Sequence, residues 1–179
     1  CNRVMFLSNK SKCLISCEKS LNIFDVERPD SPITAIKNAN GNNNADDIED
    51  EITASATDPL HTDIVASCNG SSVRLWDIRS GKVAQQISDS PQNCIFDISF
   101  NENKPWWACT GGTDGYLRCW DVRVSKPQCE FRASSHWVTR TVPSSSHEQL
   151  ILTAATDSKV RVINSSKFAF QNDGKLPDG

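Results

Sequence analysis

Residues 72–79 read Ser-Val-Arg-Leu-Trp-Asp-Ile-Arg, and residues 116–123 read Tyr-Leu-Arg-Cys-Trp-Asp-Val-Arg. The two Trp-Asp dipeptides lie 44 residues apart. A third copy, residues 156–164, aligns with residues 113–121 at a spacing of 43, and Ile163 takes the place of the Trp. A fourth copy at residues 18–25 has Phe in that place, 52 residues before the first Trp. Recurrence at this period indicates a chain built from repeated structural units.

The segments between these marks have the pattern of short β-strands. Residues 94–100 alternate apolar and polar side chains, and residues 160–162 alternate again. Such runs of four to seven residues, rich in β-branched and aromatic side chains, are typical of strands. Turn-forming pairs such as Asn69-Gly70 and Asp114-Gly115 separate them. The sequence therefore predicts an all-β protein with about four strands per repeat.

A repeat of about 40–45 residues that ends in Trp-Asp on a strand is the signature of the WD40 β-propeller. Each repeat would form one four-stranded blade, which covers its faces by packing on its neighbours. We expect a WD40 region over residues 1–179, with repeats ending near 25, 77, 121 and 164. Four blades fit the length, and we expect them to be an incomplete arc of a seven-bladed ring, a central piece of a longer protein.

Two segments lie outside the repeat pattern. Residues 38–51 are polar, acidic and rich in Asn, with almost no large apolar side chain. Such a composition cannot bury enough surface to order itself, so a solvated insert is expected. An acidic docking site for a basic partner is the alternative. Residues 165–179 are interpreted as part of a C-terminal loop.

The WD40 resemblance also implies roles for particular residues. In that family the indole N–H of the Trp bonds to a Ser or Thr hydroxyl, which is tied to a His and to an Asp in a tight turn. No repeat here has all four residue types, since Asn93 stands at the His place of one repeat and Gly70 at the Asp place of another. We interpret eight positions as structural rather than catalytic: Trp76, Asp77, Asp114, Trp120, Asp121, His136, Thr153 and Asp157.

A closer resemblance rests on the block Ser-His-Trp-Val at residues 135–138 and His-Glu-Gln-Leu at residues 147–150, together with the paired aromatics Trp106 and Trp107. In these stretches the sequence resembles the family of EARP and GARP complex-interacting proteins. The resemblance implies a non-enzymatic scaffold in endosomal recycling and endosome-to-Golgi retrograde traffic. Tethering-complex subunits and a Rab-type GTPase are the implied partners. A cytoplasmic location peripheral to the trans-Golgi network and endosomes is implied as well.

Four residues are candidates for partner binding. Trp137 and Arg140 are expected near the face where blade-connecting loops meet, and aromatic and Arg side chains are frequent interface anchors. A core position for Trp137 and a solvated strand position for Arg140 are the structural alternatives. Arg79 and Arg123 complete two Trp-Asp-x-Arg motifs, which favours a second hypothesis, a substrate receptor of a cullin-4-type ubiquitin ligase. Their structural alternative is local pairing with a neighbouring Asp.

Composition argues against other functional classes. The chain has a net charge of −3, so no basic surface for nucleic acid is predicted. It has no apolar run near 18 residues, and no membrane insertion is expected. Neither a phosphate-binding loop nor a nucleophile elbow occurs, so we expect no enzyme and no cofactor. The eight cysteines lack zinc-site spacing and are interpreted as reduced, buried side chains.

Overall fold

The computed structural model describes residues 3–7, 10–37, 51–88, 93–104, 106–124 and 126–167. Within these ranges the chain forms four antiparallel sheets, each made from consecutive strands, and one short 3-10 turn at Ser165–Lys167. The predicted acidic insert at 38–51 lies outside the described residues except for Glu51, as does the predicted C-terminal loop from residue 168 onward.

The four sheets follow one another along the chain. The first contains β1 (Arg3–Phe6), β2 (Lys12–Cys17), β3 (Ser20–Asp25) and β4 (Thr34–Lys37). The second contains β5 (Ile52–Thr57), β6 (Ile64–Asn69), β7 (Ser72–Asp77) and β8 (Lys82–Ser88). The third contains β9 (Ile95–Phe100), β10 (Trp107–Gly112), β11 (Tyr116–Asp121) and β12 (Pro127–Arg132). The fourth contains β13 (Val138–Pro143), β14 (Leu150–Ala155) and β15 (Val160–Asn164).

Each sheet is a meander of hairpins whose register follows the apolar alternation of its strands. In the third sheet Cys109 faces Cys119, and Cys119 faces Cys129, so one row of small apolar side chains crosses three strands. Side chains on one face of neighbouring strands are in contact, which makes such rows the stabilising unit of a sheet. The third strand of each sheet ends at the repeat mark, at Asp25, Asp77, Asp121 and Asn164.

The first strands of the four sheets lie side by side. Thr57 Oγ1 donates to the carbonyl oxygen of Phe6, Thr53 Oγ1 to that of Ile95, and Ser99 Oγ to that of Thr141. These contacts join equivalent positions, so all four first strands begin at the same end of the molecule. We call it the cavity end, because a cavity lined by Arg3, Phe96 and Arg140 opens there. Because strands alternate in direction, the third strands finish at the opposite end.

Three apolar clusters fill the spaces between consecutive sheets. Blades of a propeller bury their faces against each other, and the clusters follow that order. The cluster between the first two sheets contains Leu7, Leu14, Leu21, Ile23, Ile36, Ile52, Val65, Trp76 and Ile78. The middle cluster contains Ala54, Ala56, Ala66, Cys68, Val73, Leu75, Ile87, Ile95, Ile98, Phe100, Ala108, Trp120 and Val122. The last cluster contains Cys109, Leu117, Cys119, Cys129, Ala133, Val138, Ile151 and Ile163.

The predicted all-β propeller fold is confirmed, with four blades among the described residues. One tight turn shows why a glycine is needed: Gly115 has φ of +80°, and a Cβ there would lie 2.2 Å from the carbonyl oxygen of Ser134. Gly115 also accepts hydrogen bonds from the backbone N–H groups of Ala133 and Ser134, which fixes the segment leading into β13. Across the described ranges, no helix has the length and apolarity that crossing a membrane requires.

Candidate partner-binding site

Two of the predicted Trp residues anchor their blades through a buried hydrogen bond. Trp76 Nε1 donates to Ser67 Oγ at 2.9 Å, and Trp120 Nε1 donates to Thr110 Oγ1 at 2.8 Å. A buried indole N–H needs such an acceptor, because an unpaired polar group in a protein interior is costly. Ile163 takes the equivalent position in the fourth blade and packs in an apolar cluster instead.

The Asp of the tight turn pairs with an Arg four residues later. Asp114 Oδ2 lies 2.7 Å from Arg118 Nη1, and Asp157 forms the equivalent ion pair with Arg161. Hydrogen bonding to Arg161 lowers the pKa of Asp157 below its ordinary range. In the second blade, where Gly replaces the Asp, Arg74 Nε donates to Gln86. The second, third and fourth blades thus each give this recurrent Arg an acceptor.

The predicted His of the fourth blade, His136, bonds to a neighbouring Ser instead of to the Asp of the tight turn. The ring of His136 hydrogen-bonds to Ser135 Oγ at 3.0 Å and lies at the surface, while Ser134 Oγ donates to Asp157. Thr153 is buried. In the third blade, Asn93 Oδ1 accepts from Thr113 Oγ1, which fastens the turn that precedes β11.

A cavity of about 290 Å³ opens at the cavity end, where the four first strands begin. Every blade contributes to its lining. We call it the inner-strand cavity, and its lining residues are Arg3, Thr53, Ala54, Phe96, Trp137, Thr139 and Arg140. Two of the four predicted partner-binding residues, Trp137 and Arg140, lie together here.

A buried carboxylate beneath this cavity holds two guanidinium groups. Asp97 Oδ1 lies 2.9 Å from Arg3 Nη1 and 3.1 Å from Arg140 Nη1. The side chain of Asp97 is 1% exposed and that of Arg140 is 59% exposed. The other carboxylate oxygen, Oδ2, accepts from the backbone N–H of Thr141 at 2.8 Å. One buried carboxylate oxygen is thus shared by two guanidinium groups.

An aromatic pair forms another wall of the cavity. Trp137 packs against Phe96 with ring centroids 5.5 Å apart and planes tilted by 41°. Trp137 remains 52% exposed, although a large aromatic ring is usually well buried in a protein. The wall thus offers solvent-accessible aromatic surface next to the guanidinium of Arg140.

The other two candidates, Arg79 and Arg123, lie at the opposite end of the molecule. Arg123 Nε and Nη2 lie 2.9 Å and 2.6 Å from the two carboxylate oxygens of Asp121. This bond lowers the pKa of Asp121 and raises that of Arg123. The backbone N–H groups of Arg79 and Ser80 donate to Asp77, which lowers the pKa of that carboxyl as well. Both Trp-Asp-x-Arg motifs therefore close a local turn.

Aromatic stacking supports this end of the molecule. The ring of His61 stacks on Trp106 at 4.0 Å between centroids, and the guanidinium of Arg123 lies 6.0 Å from the Trp106 ring. His61 Nδ1 also lies 2.9 Å from Asp58 Oδ2. Trp106 has φ of +66°, an uncommon conformation for a bulky residue. The side chains of His61, Trp106 and Arg123 therefore contact one another at this end.

Among the described ranges, no group of three or more His, Cys, Asp or Glu side chains could hold a metal ion. Cys109, Cys119 and Cys129 are buried in the third blade, and hydrogen bonding among their thiols together with burial raises the pKa of Cys119 and Cys129. Thiols whose pKa is raised are poor nucleophiles, since the thiolate is the reactive form. This row of cysteines packs as small apolar side chains.

Comparison with known proteins assigns the fold to a family. A family model described as the EIPR1 β-propeller matches residues 33–163. The chain belongs to the EIPR1 β-propeller family. An EARP-interacting protein homolog of Gekko japonicus is 35% identical over 115 residues, which cover 64% of the chain and 30% of that relative. The EARP and GARP complex-interacting protein 1 of Homo sapiens is 33% identical over the same shares.

The match therefore spans less than a third of the length of these EIPR1 relatives. Among solved structures, a chain in the crystal structure of the mitotic checkpoint complex superimposes with a TM-score of 0.74. That superposition covers 93% of this chain and 48% of the other, at 15% identity, and supports the propeller fold alone. The resemblance to the EARP and GARP complex-interacting family is confirmed.

The segment that matches the EIPR1 family contains most of the inner-strand cavity, including Phe96, Trp137 and Arg140, whereas Arg3 precedes it. Sequence reasoning did not identify Arg3 or Asp97 as members of this site. Asp97 carried one available signal, because it is a charged residue inside an alternating apolar strand. Arg3 carried none, since it becomes part of the site only when the first strands lie side by side.

Proposed function

We propose that this chain is part of a non-enzymatic WD40 adaptor that binds multisubunit tethering complexes in endosomal recycling and endosome-to-Golgi retrograde traffic. The observation that carries the proposal is the match of residues 33–163 to the EIPR1 β-propeller, in a family whose relatives are named for EARP and GARP. In this proposal the protein is cytoplasmic and peripheral to the trans-Golgi network and endosomes, and a Rab-type GTPase is a further partner.

The geometry supports the adaptor proposal at one place. The inner-strand cavity combines an exposed aromatic ring with an Arg on a rigid sheet scaffold, and both residue types are frequent in binding hot spots. Protein interaction through a concave site lined by several blades suits a fold whose scaffold is fixed by apolar packing. A seven-bladed ring that includes these four blades remains a prediction.

Capture experiments with purified complexes test the proposal. Immobilised chain is incubated with purified EARP and with purified GARP, and bound subunits are quantified by immunoblot. We expect both complexes to be retained and the double variant Trp137→Ala/Arg140→Gln to retain several-fold less. The matched control is Arg79→Ala/Arg123→Ala, which changes two exposed Arg side chains at the opposite end and should retain wild-type amounts. Absence of both complexes from the wild-type sample contradicts the proposal.

The ubiquitin-ligase alternative makes a different prediction in the same assay. Purified cullin-4 adaptor would then bind the wild-type chain and be lost in the Arg79→Ala/Arg123→Ala variant. Arg123 is engaged with both oxygens of Asp121, so an adaptor would have to compete with a bidentate ion pair. Retention of the ligase adaptor, together with no retention of EARP or GARP, would favour this alternative.

A further inference from the structure

We infer that the inner-strand cavity binds an extended, acidic peptide segment that places a carboxylate side chain on Arg140 and an aromatic or large apolar side chain on Trp137. The inference rests on the proposed adaptor function, because it specifies the kind of partner segment that the adaptor would hold. It also predicts which chemical features of that segment determine affinity.

The charge balance of the site favours an anionic ligand. Arg3 and Arg140 share a single oxygen of Asp97, and the second oxygen accepts from the backbone N–H of Thr141. One buried carboxylate therefore faces two guanidinium groups. Among the described residues, the lining includes both cations and no Asp or Glu. An incoming carboxylate would give Arg140 an anionic partner in addition to the Asp97 oxygen that it shares.

Arg140 has the accessibility to make that contact. Its guanidinium is more than half exposed, and the ion pair with Asp97 uses one of its terminal nitrogens, Nη1. A guanidinium carries five N–H donors in a planar fork, and a carboxylate can bind two of them side by side. By contrast, Arg3 bonds to Asp97 and to the carbonyl oxygens of Ser55 and Ile98, so it supports the site from within.

The aromatic wall specifies the second feature of the ligand. Phe96 holds the ring of Trp137 in place, and about half of the Trp137 surface remains accessible. Covering this surface with an apolar side chain would remove it from water, which is the main favourable contribution to such contacts. In an extended peptide, side chains two positions apart point to the same side, so one aromatic and one acidic residue can both reach the cavity.

A peptide fits the site better than the two other anionic macromolecules. Nucleic acid and anionic membranes are bound by broad basic surfaces, whereas the chain has a net charge of −3 and the cavity presents two Arg side chains. A concave site of this volume accommodates a few side chains rather than a surface. Binding to anionic vesicles or to single-stranded DNA at the expense of peptide would overturn the inference.

Fluorescence anisotropy with a defined probe tests the inference directly. The probe is a fluorescein-labelled peptide Gly-Ser-Phe-Ser-Asp-Ser-Gly, and the comparison peptides replace Asp with Asn or Phe with Ala. We expect the Asn peptide to bind about tenfold more weakly than the probe, because a charge-assisted pair becomes a neutral one. The affinity for the probe should also fall as salt is raised, since part of the binding is electrostatic.

Protein variants locate the site. Arg140→Gln is expected to weaken binding of the acidic probe about tenfold and to leave the Asn peptide unchanged. Trp137→Ala should weaken binding of the probe and leave the affinity for the Phe-to-Ala peptide unchanged. That result would show that Trp137 contacts the Phe of the probe. Arg123→Gln, the matched control at the opposite end, should bind like wild type. Far-UV circular dichroism and thermal melting of each variant show that the propeller remains folded.

Several results would overturn the inference. Equal affinity for the acidic and neutral peptides, or equal losses in Arg140→Gln and Arg123→Gln, would show that the cavity does not recognise a carboxylate. Phosphatidylserine vesicles that bind wild type and displace the probe would assign the site to lipid. If the chain binds the probe but captures neither EARP nor GARP, the result would support peptide binding in the cavity and contradict the proposed adaptor function. The two failures are therefore distinguishable.

Discussion

The two ends of the molecule each present an exposed Arg beside a Trp, but they differ in how the Arg charge is balanced. At the opposite end, Arg123 forms a bidentate ion pair with the carboxylate of Asp121, one charge against one. At the cavity end, Arg140 shares the single carboxylate of Asp97 with Arg3. The difference teaches that exposure alone does not distinguish the two Arg residues, whereas the sharing of one buried carboxylate in a concave site does.

The largest expected effect concerns Asp97. Asp97→Ala removes the acceptor of two guanidinium groups and of the Thr141 backbone N–H, so we expect a loss of about 3–5 kcal/mol in the free energy of unfolding. Asp121→Ala at the opposite end leaves a solvated Arg and should cost clearly less. Urea denaturation followed by fluorescence measures both. Equal losses would show that the two carboxylates contribute equally to the free energy of unfolding.

The second prediction compares two glycines with positive φ. Gly115→Ala at the cavity end places a Cβ against the carbonyl oxygen of Ser134, whereas Gly81→Ala at the opposite end meets no atom within 4 Å. Both substitutions carry the left-handed backbone penalty of about 1–2 kcal/mol, and Gly115→Ala adds an overpacking penalty of about 1–3 kcal/mol. Thermal unfolding should give Gly115→Ala a melting temperature well below that of Gly81→Ala. A reversed order of melting temperatures would show that the segment before β13 shifts easily to accommodate the added Cβ.

The third prediction separates the two Arg residues of the cavity end. Arg3→Gln removes a charged donor that bonds three acceptors on the second and third blades, and we expect a loss of about 1.5–3 kcal/mol. Arg140→Gln removes a more exposed pair and should cost about 1 kcal/mol or less. Chemical denaturation provides the values. If Arg140→Gln proved the more costly, its role would be structural and its availability to a ligand would be in doubt.

The smallest effect is a pH dependence at the opposite end. The bond to Arg123 holds the pKa of Asp121 below its ordinary value of 3.8. A carboxyl with a lowered pKa in the folded state contributes stability that is fully present above its ordinary pKa and is lost as the pH falls through the folded-state value. Asp121→Asn should therefore flatten the decline in urea midpoint between about pH 5 and pH 3. An unchanged decline would indicate that this ion pair contributes nothing measurable.

The site was only partly predictable from sequence. Trp137 and Arg140 could be proposed because their residue types and their place in the repeat favour an interface, and the structure brings both into one cavity. For Arg79 and Arg123 the sequence left two alternatives open, since the Trp-Asp-x-Arg motif is compatible with a local turn and with a binding site. Local geometry shows the turn, through bonds from Arg123 to Asp121 and from the Arg79 backbone to Asp77.

The hydroxyl partners of the Trp residues carried a signal in the repeat. Ser67 and Thr110 lie on the neighbouring strand, at a spacing of 43 residues that also reaches Thr153. The recurrent Arg74, Arg118 and Arg161 carried a signal, because they occupy the same place in three aligned repeats. Their partners differ from blade to blade, since Gly70 removes the turn Asp from the second blade.

The sequence by itself determined the repeat and the all-β class, because both follow from the period of the Trp-Asp mark and from the alternation of side chains along each strand. The family was indicated by resemblance, through the blocks at residues 135–138 and 147–150. Only the tertiary structure decided which residues share a site. Arg3, Asp97 and Arg140 are separated by more than 40 residues from one to the next and meet because apolar packing sets the first strands of the blades side by side. Charge balance at that junction is a property of three blades together.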